Sequence, residues 1–465
     1  MLWSTDLDQI PAQAKNQARE RIVTGNVWTT VWWLAWPSVI TMLLQTANGL
    51  VDAVFVGRLG AAALSAVGLA SQIMMILMSV VTAVSVGATA LIARFVGANE
   101  PNQAEHAARQ SLVLGVVISV GAGLLAYLAG PTLIAAMGGK GEDLRLGVLY
   151  LNILLLGVTP YFLMVILTGV FRGMGDMKTP LIVMSAMTVV SLVGDYVLIF
   201  GIGPFPKLGV AGAGIATVTS RIVATVMFLA YLPKSHLPRC LHGRWRPAWD
   251  WFRRILSIGT PVFVQGFLRT AASMTYFSIL GLTPDGMYAI AALTIGLRTE
   301  ALAFMPGLAF SVAATSMVGQ NLGARQPERA EKSAWAAAWQ GVWVMGAIGV
   351  LFILFARPIA GVFTNDAKVL PLAASYLWLN GISEPFLALA MVLTGALQGA
   401  GETRLPTAAT IFSLWFVRLP LTYYMAVTLK LGSWGAWAAM SGSTILGGLL
   451  MLAVFKLSRW KDTEV

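Results

Sequence analysis

The stretch Leu34–Ile73 reads LAWPSVITMLLQTANGLVDAVFVGRLGAAALSAVGLASQI. It is a long apolar run that is broken by Pro37 and carries one acid, Asp52. A turn-like segment at 57–60 separates it from a second apolar run. A carboxylate inside a membrane-length helix is energetically costly, and such a residue is by default a functional hypothesis. Asp52 is therefore the first candidate site residue, and Pro37 is a candidate hinge.

The composition indicates an all-α polytopic membrane protein. Of the 465 residues, 57% are hydrophobic and only 11% are charged, whereas a soluble domain carries about 25% charged residues. Apolar runs of about 18 residues or more, enough to cross a ~30 Å hydrocarbon core, recur throughout the chain. We expect twelve spans, at 31–56, 63–93, 105–128, 146–170, 181–201, 210–232, 252–281, 287–318, 333–355, 369–396, 407–428 and 434–457.

Two segments of the first half are repeated in the second half. VGANEP at 96–101 resembles LGARQP at 322–327, and LTGVFRGMGD at 167–176 resembles LTGALQGAGE at 393–402. Both pairs have the same sequence offset, since 322 − 96 equals 393 − 167. Pro180 and Pro406 share this offset. Several matches at one offset indicate a duplicated architecture.

The duplication predicts two six-span lobes in the same orientation, related by a pseudo-two-fold axis along the membrane normal with a cavity between them. This is the architecture of an alternating-access carrier, and we favour a carrier over a channel because no filter-like segment is present. Pro261 is the hinge candidate of the second half. The expected domains are an arm at 1–27, an N-lobe at 28–232, a basic linker at 233–251, a C-lobe at 252–457 and a tail at 458–465.

The formal net charge of +11 is explained by topology. The basic residues fall mainly in the loops of one side, which the positive-inside rule assigns to the cytoplasm together with both termini. Because no basic stripe is interleaved with aromatic residues, we do not expect nucleic-acid binding. The polar N-terminal arm does not have the pattern of a cleaved signal peptide. The single cysteine, Cys240, cannot form an internal disulfide.

The second repeated segment also predicts a helix start. Thr179 precedes Pro180, which suits an N-cap followed by proline in the first turn. In the second copy Leu405 replaces this threonine, so we expect a weaker cap there.

Taken together, these features make the chain resemble the multidrug and toxic compound extrusion (MATE) family. The resemblance is carried by Pro37 with Asp52 in the same apolar run, FVGRLGAAALSAVGLA at 55–70, VGQNLGA at 318–324 and the two Gly-rich turns. It spans about residues 28–457. It implies a two-lobed exporter of small amphipathic, often cationic compounds in the plasma membrane, driven by inward movement of H⁺ or Na⁺, with H⁺ favoured here.

The resemblance also implies coupling residues. An acid in the first helix is central in prokaryotic members, and Asp52 matches it. Asp195 matches a second acid that pairs with the first in one branch, although it falls in the fifth predicted span rather than the sixth. Thr217 is the candidate from the following helix, and Ser191 stands where an asparagine is expected. Another branch carries a glutamate in the seventh helix, where this chain has Arg269.

Other polar residues in the spans are candidates for substrate or ion contact. Asn48 and Gln45 share the helical face of Asp52 at i−4 and i−7. For Glu300, cation recognition and an ion pair with Arg269, Arg298 or Arg418 are both open. Tyr161, Gln265, Tyr276 and Met305 could line the cavity, and ordinary helix packing is the favoured alternative for them. The other cavity candidates are Gln45, Glu300, Glu384 and Arg298, and for the two glutamates a structural network of ion pairs is the alternative.

Competing functions find less support. A flippase of lipid-linked precursors would favour a more basic cavity and extra spans. An intramembrane enzyme would need a metal cluster or acids at catalytic spacing, and only Asp52 with Asp195 could form such a pair. We expect no enzymatic activity, no cofactor beyond the coupling ion, no metal site and a monomeric protein.

Overall fold

The computed structural model describes residues 12–202, 205–243 and 245–463. Regular structure in these residues is helical, and eleven helices are long and apolar enough to cross a membrane. A bent pair of shorter helices brings the number of candidate spans to twelve. The predicted all-helical polytopic fold is therefore confirmed. The helices are α1 (Ala12–Thr24), α2 (Val27–Gly57), α3 (Ala61–Gly97), α4 (Pro101–Ala136), α5 (Gly141–Leu156), α6 (Val158–Gly173), α7 (Lys178–Phe200), α8 (Val210–Tyr231), α9 (Trp249–Gly281), α10 (Gly286–Gly323), α11 (Pro327–Phe363), α12 (Val369–Gly399), α13 (Arg404–Ile411), α14 (Leu419–Thr422) and α15 (Gly432–Leu457).

Two spans are less regular than the sequence predicts. The fourth consists of α5 and α6, which meet at 55° around Gly157. An added Cβ at Gly157 would lie 2.7 Å from Val218 Cγ2, so only glycine allows this approach. The eleventh span contains wide π-helical turns at Phe412–Arg418 and Tyr423–Thr428. Turns of this kind often occur at functional sites.

The chain forms two compact units. One unit comprises the described residues up to Thr24 together with Ile40–Gly259, and the other comprises Gly25–Val39 with the described residues from Thr260 onward. These units differ from the predicted lobes, because the first part of α2 belongs to the second unit and the first part of α9 to the first. The two exchanges fall close to Pro37 and Pro261.

The first part of α2 packs within the second unit. Trp28 stacks on Trp343 of α11 with ring centroids 5.5 Å apart, and the Gln340 side chain donates a hydrogen bond to the Trp28 carbonyl at 2.9 Å. Trp32 packs on Phe310 of α10. These contacts fix the segment before Pro37 to α10 and α11.

The first part of α9 packs within the first unit in the same manner. Trp251 lies against Phe95 and His106, with ring centroids 5.8 Å and 5.0 Å away. The backbone of Gly259 approaches Ala83 so closely that an added Cβ would lie 2.4 Å from the Ala83 carbonyl oxygen. The segment before Pro261 is therefore held by α3 and α4.

The internal duplication is visible as identical hydrogen bonds. Thr89 of α3 donates to the Gly169 carbonyl of α6 at 3.0 Å, and Thr315 of α10 donates to the Gly395 carbonyl of α12 at 2.8 Å. Donor and acceptor are each displaced from their counterpart by the offset of the repeated sequence segments. The same hydroxyl-to-carbonyl contact therefore joins the second and fourth spans of each repeat.

The repeated sequence segments are helix ends. After α3, the Glu100 amide donates to the Phe95 carbonyl, and after α10 the Gln326 amide donates to the Asn321 carbonyl. The left-handed residues of the second pair of turns are Gly175 (φ 80°) and Gly401 (φ 87°). Such six-to-one bonds with a left-handed residue stop a helix. The glycines are required there because side chains disfavour positive φ.

The predicted Thr179 cap is wrong. Thr179 lies inside α7, and the capping acceptor is Asp176, whose Oδ1 accepts the amides of Lys178 and Thr179 at 3.0 Å. The second copy uses Glu402, whose Oε1 accepts the amides of Arg404 and Leu405. The carboxylates at the ends of the Gly-rich turns therefore cap both helices, and the loss of threonine in the second copy removes no acceptor.

The predicted linker is fixed to the first unit. Glu105 of α4 accepts the Arg239 amide at 2.8 Å, and Arg109 donates to the Cys240 carbonyl at 2.9 Å. In the second unit Glu331, the counterpart of Glu105 in the repeat, contacts Lys461 at 2.5 Å. In each repeat, the segment that follows the sixth span is thus bound to the first turns of the third span.

Gly395→Ala tests the close contact between α10 and α12. Its added Cβ would lie 2.4 Å from the backbone oxygen of Ser311, and a backbone atom cannot move aside cheaply. We expect a loss of about 1–3 kcal/mol of stability, measured by thermal unfolding in detergent. Gly121→Ala is the control, since its Cβ would meet nothing within 4 Å. Equal stability of the two variants would contradict the proposed packing.

Candidate functional site

The candidate ion-coupling site is built on the second part of α2. Asp52 is half-buried there. The Nδ2 of Asn48, one turn earlier, donates to its Oδ2 at 3.2 Å. Both residues lie in the part of α2 that belongs to the first unit. The helical spacing that led us to select Asn48 therefore produces a direct contact with the acid.

The second acid, Asp195, lies on α7 with only 1% of its surface exposed. Its carboxyl group lies close to Asp52 and to Ser191. An ionised carboxylate can only accept hydrogen bonds, so a bond between two carboxyl groups requires one proton. The structure thus brings the two acids of the predicted pair close to each other.

Residues of α5 and α8 complete this acid site. Thr217 donates to the Ala213 carbonyl at 2.9 Å and lies close to the hydroxyl of Tyr150. Tyr150 is 8% exposed and lies within electrostatic range of both Asp52 and Asp195. The candidate Thr217 is therefore linked to the acids through a tyrosine that our sequence analysis did not select.

Sequence analysis also missed Arg221. It lies one turn after Thr217 on α8, and its Cζ sits 4.4 Å from the centre of the Tyr161 ring. Its charge acts on Asp52. A signal existed, because an arginine inside a predicted span is as exceptional as an acid. The structure thus places Tyr161 beside a buried cation.

Several buried oxygen atoms of the acid site have no hydrogen-bond partner. They are Asn48 Oδ1, Asp52 Oδ1 and Asp195 Oδ2. Buried polar atoms without partners are rare in proteins and call for an explanation such as an unfilled binding position. Gln45 lies outside this group: its side chain is exposed and its Nε2 is 3.7 Å from Met184 Sδ.

The second unit contains its own acid cluster. The hydroxyl of Tyr376 donates to Glu300 Oε2 at 2.5 Å, and the charge of Arg418 acts on Glu300. Arg418 is held by Ser443 Oγ at 2.8 Å and Thr444 Oγ1 at 2.7 Å. Of the three arginines considered for Glu300, it is thus Arg418 whose charge acts on it.

The other candidates of the second unit have different surroundings. Glu384 is 1% exposed, its Oε2 has no hydrogen-bond partner, and the charge of Glu300 acts on it. Tyr276 is buried and donates to the Ala436 carbonyl at 2.9 Å. Gln265 donates to Thr410 Oγ1 at 2.7 Å. The Arg298 side chain is exposed.

Tyr150 and Tyr376 occupy equivalent positions of the two repeats. Each lies within range of a carboxyl group and an arginine of its own unit. The acids and arginines themselves occupy non-equivalent positions. Among the described residues, no group of three or more His, Cys, Asp or Glu side chains could hold a metal ion.

Comparison with known proteins places this geometry in a family. The MatE family matches residues 37–197 and 261–424, which include both halves of the duplication. A probable multidrug resistance protein NorM from Thermotoga maritima is 30% identical over 437 residues, covering 93% of each chain. A crystal structure of a MATE protein in complex with MaD3S is 25% identical, with a TM-score of 0.88 and coverage of 95% of this chain and 99% of the other.

A second solved structure shows the same fold. It is an outward-facing multidrug resistance transporter of the MATE family and MOP superfamily, 25% identical, with a TM-score of 0.86 and coverage of 95% and 98%. The family match and the similarity over 93% of the chain agree with each other. This chain belongs to the MATE family of membrane transporters.

Proposed function

We propose that this transporter exports small amphipathic, cationic compounds by antiport, with H⁺ as the coupling ion in preference to Na⁺. The observation that carries the proposal is the close approach of the Asp52 and Asp195 carboxyl groups. A pair that holds one proton can exchange this proton for another positive charge. The relatives described as multidrug resistance proteins support drug-like substrates.

The location of the pair supports its use of the proton gradient. Asp52 lies in a helix that is long and apolar enough to span a membrane, where an ionisable group typically marks an ion pathway. Each charge that moves inward releases about 2.3 kcal/mol per 100 mV. Exchange of one proton for one monovalent cation moves no net charge, so this electrical energy cancels. The pH difference then drives export, and each pH unit sustains about a tenfold gradient of the cation.

Substrate recognition is assigned to the residues outside the acid pair. Glu384 and Glu300 offer negative charge to a cation, and the exposed Gln45 and Arg298 offer polar contacts. Tyr161, Tyr276 and Gln265 complete the proposed set. The internal hydrogen bonds of Tyr276 and Gln265 favour a supporting role for these two residues.

Pro37 and Pro261 are the proposed hinges for alternating access. Each lies inside a continuous helix, close to the point where that helix changes from one compact unit to the other. Proline removes a backbone hydrogen bond and thereby weakens a helix locally. We place the protein in the plasma membrane as a monomer with both termini in the cytoplasm.

Transport by purified protein in proteoliposomes tests the coupling. With a pH gradient and a Na⁺ gradient imposed separately, we expect uphill transport of a fluorescent cationic dye under the pH gradient. Asp52→Asn should abolish this uphill flux, because an amide cannot release a proton. Asp250→Asn, which removes an exposed acid, should transport like the wild type.

Equal uphill transport by Asp52→Asn and the wild type under both gradients would rule out the assigned role of Asp52. Absence of uphill transport by the wild type under either gradient would overturn the exporter proposal itself.

Pro37→Ala tests the hinge. Restoring the helix hydrogen bond should stiffen α2 and lower the transport rate by about tenfold, which corresponds to about 1.36 kcal/mol in the barrier. Dye affinity should change little. Pro131→Ala is the control, because Pro131 also lies inside a helix but far in sequence from both unit boundaries. A normal rate for Pro37→Ala, or an equal loss in the control, would contradict the hinge assignment.

A further inference from the structure

We infer that Arg221 is a built-in cation of the acid site, which excludes Na⁺ and leaves the site one exchangeable positive charge. The inference rests on the proposed function and specifies its coupling ion. Arg221 is neither a proposed substrate contact nor a member of the acid pair. Its role follows from its position beside the pair and from the oxygen atoms that the pair leaves unpartnered.

Arg221 lies on the same face of α8 as Thr217. Thr217 and Arg221 lie one turn apart, at i and i+4, and therefore on one face of the helix. Thr217 contacts Tyr150 on this face, and Arg221 lies over Tyr161, 4.4 Å from the ring centre. An aromatic face stabilises a guanidinium without neutralising it. The positive charge is thus held within electrostatic range of Asp52.

Arg221 is held less firmly than its counterpart in the second unit. Both Nε and Nη2 of Arg418 donate to hydroxyl groups of α15. By contrast, Arg221 Nη1 is buried and has no hydrogen-bond partner. A long side chain with an unused donor can reorient toward a carboxylate that has lost its proton. Hydrogen bonds therefore hold the Arg418 side chain in place, whereas the Arg221 side chain can turn toward a charged carboxylate.

The net charge of the site determines how many cations it can bind. Asp52 and Asp195 with one shared proton carry one negative charge, which Arg221 balances. The other ionisable groups near it are Tyr150 and Tyr161, which are neutral in their protonated form. When the proton leaves, the site has one net negative charge. It then binds one monovalent cation, either the proton again or a cationic substrate.

Without Arg221 the same site would suit Na⁺. Hard cations prefer oxygen ligands, and the unpartnered atoms Asn48 Oδ1, Asp52 Oδ1 and Asp195 Oδ2 supply three of them. The hydroxyl group of Ser191 lies close to Asp195, and that of Thr217 lies close to Tyr150. What opposes Na⁺ is the resident guanidinium. Arg221 is thus the residue that sets ion specificity.

Binding of ²²Na⁺ to purified protein tests this inference without requiring transport. The wild type should show no saturable binding in the millimolar range. Arg221→Gln should gain saturable binding in that range, at least about tenfold tighter than any binding that the wild type shows at higher concentration, and adding Asp52→Asn should remove it. Arg221→Lys keeps the charge and should behave like the wild type. Arg145→Gln removes an exposed arginine and is the matched control.

Saturable Na⁺ binding by the wild type that Asp52→Asn abolishes would overturn the inference, even if Arg221→Gln failed to fold. So would a folded Arg221→Gln protein that binds no Na⁺. If wild-type liposomes show no uphill transport while Arg221→Gln gains Na⁺ binding, the proposed function fails and the assignment of Arg221 stands.

Discussion

The proposed coupling depends on the close approach of two carboxyl groups, the half-buried Asp52 and the buried Asp195. Asp52 and Asp195 can be bonded only while they hold a proton. Their surroundings supply an amide from Asn48, a hydroxyl from Ser191 and the charge of Arg221. Losing the proton changes the net charge of the site from zero to minus one. In the proposed antiport, a cationic substrate that restores neutrality competes with the proton for the same position.

The duplicated frame explains how such a site can coexist with motion. Identical hydroxyl-to-carbonyl bonds, from Thr89 in one repeat and Thr315 in the other, make each repeat a stable packing unit. The first helix of each repeat is continuous, yet its initial part packs in the other unit. A change in charge at Asp52 therefore acts on a helix that belongs to both units and has proline at the transition.

Much of the fold follows from the sequence, because membrane spans have a strong signal and the constant offset between the repeats is a strict constraint. Asp52 was detectable as the single acid of a long apolar run. Arg221 was overlooked although the same rule applies to it, and Tyr150 was not distinguishable from a packing residue. The packing of the first parts of α2 and α9 within the other unit could not be predicted, since the apolar pattern is the same on both sides of Pro37. Asp176 was mistaken for part of a turn because a cap is defined by backbone geometry.

Cation binding is expected to release one proton from the acid pair. Isothermal titration calorimetry with tetraphenylphosphonium, in buffers of different ionisation enthalpy, counts that proton directly. The wild type should release about one proton for each cation that it binds, and Asp52→Asn should release none. Saturable cation binding by the wild type without proton release would contradict it.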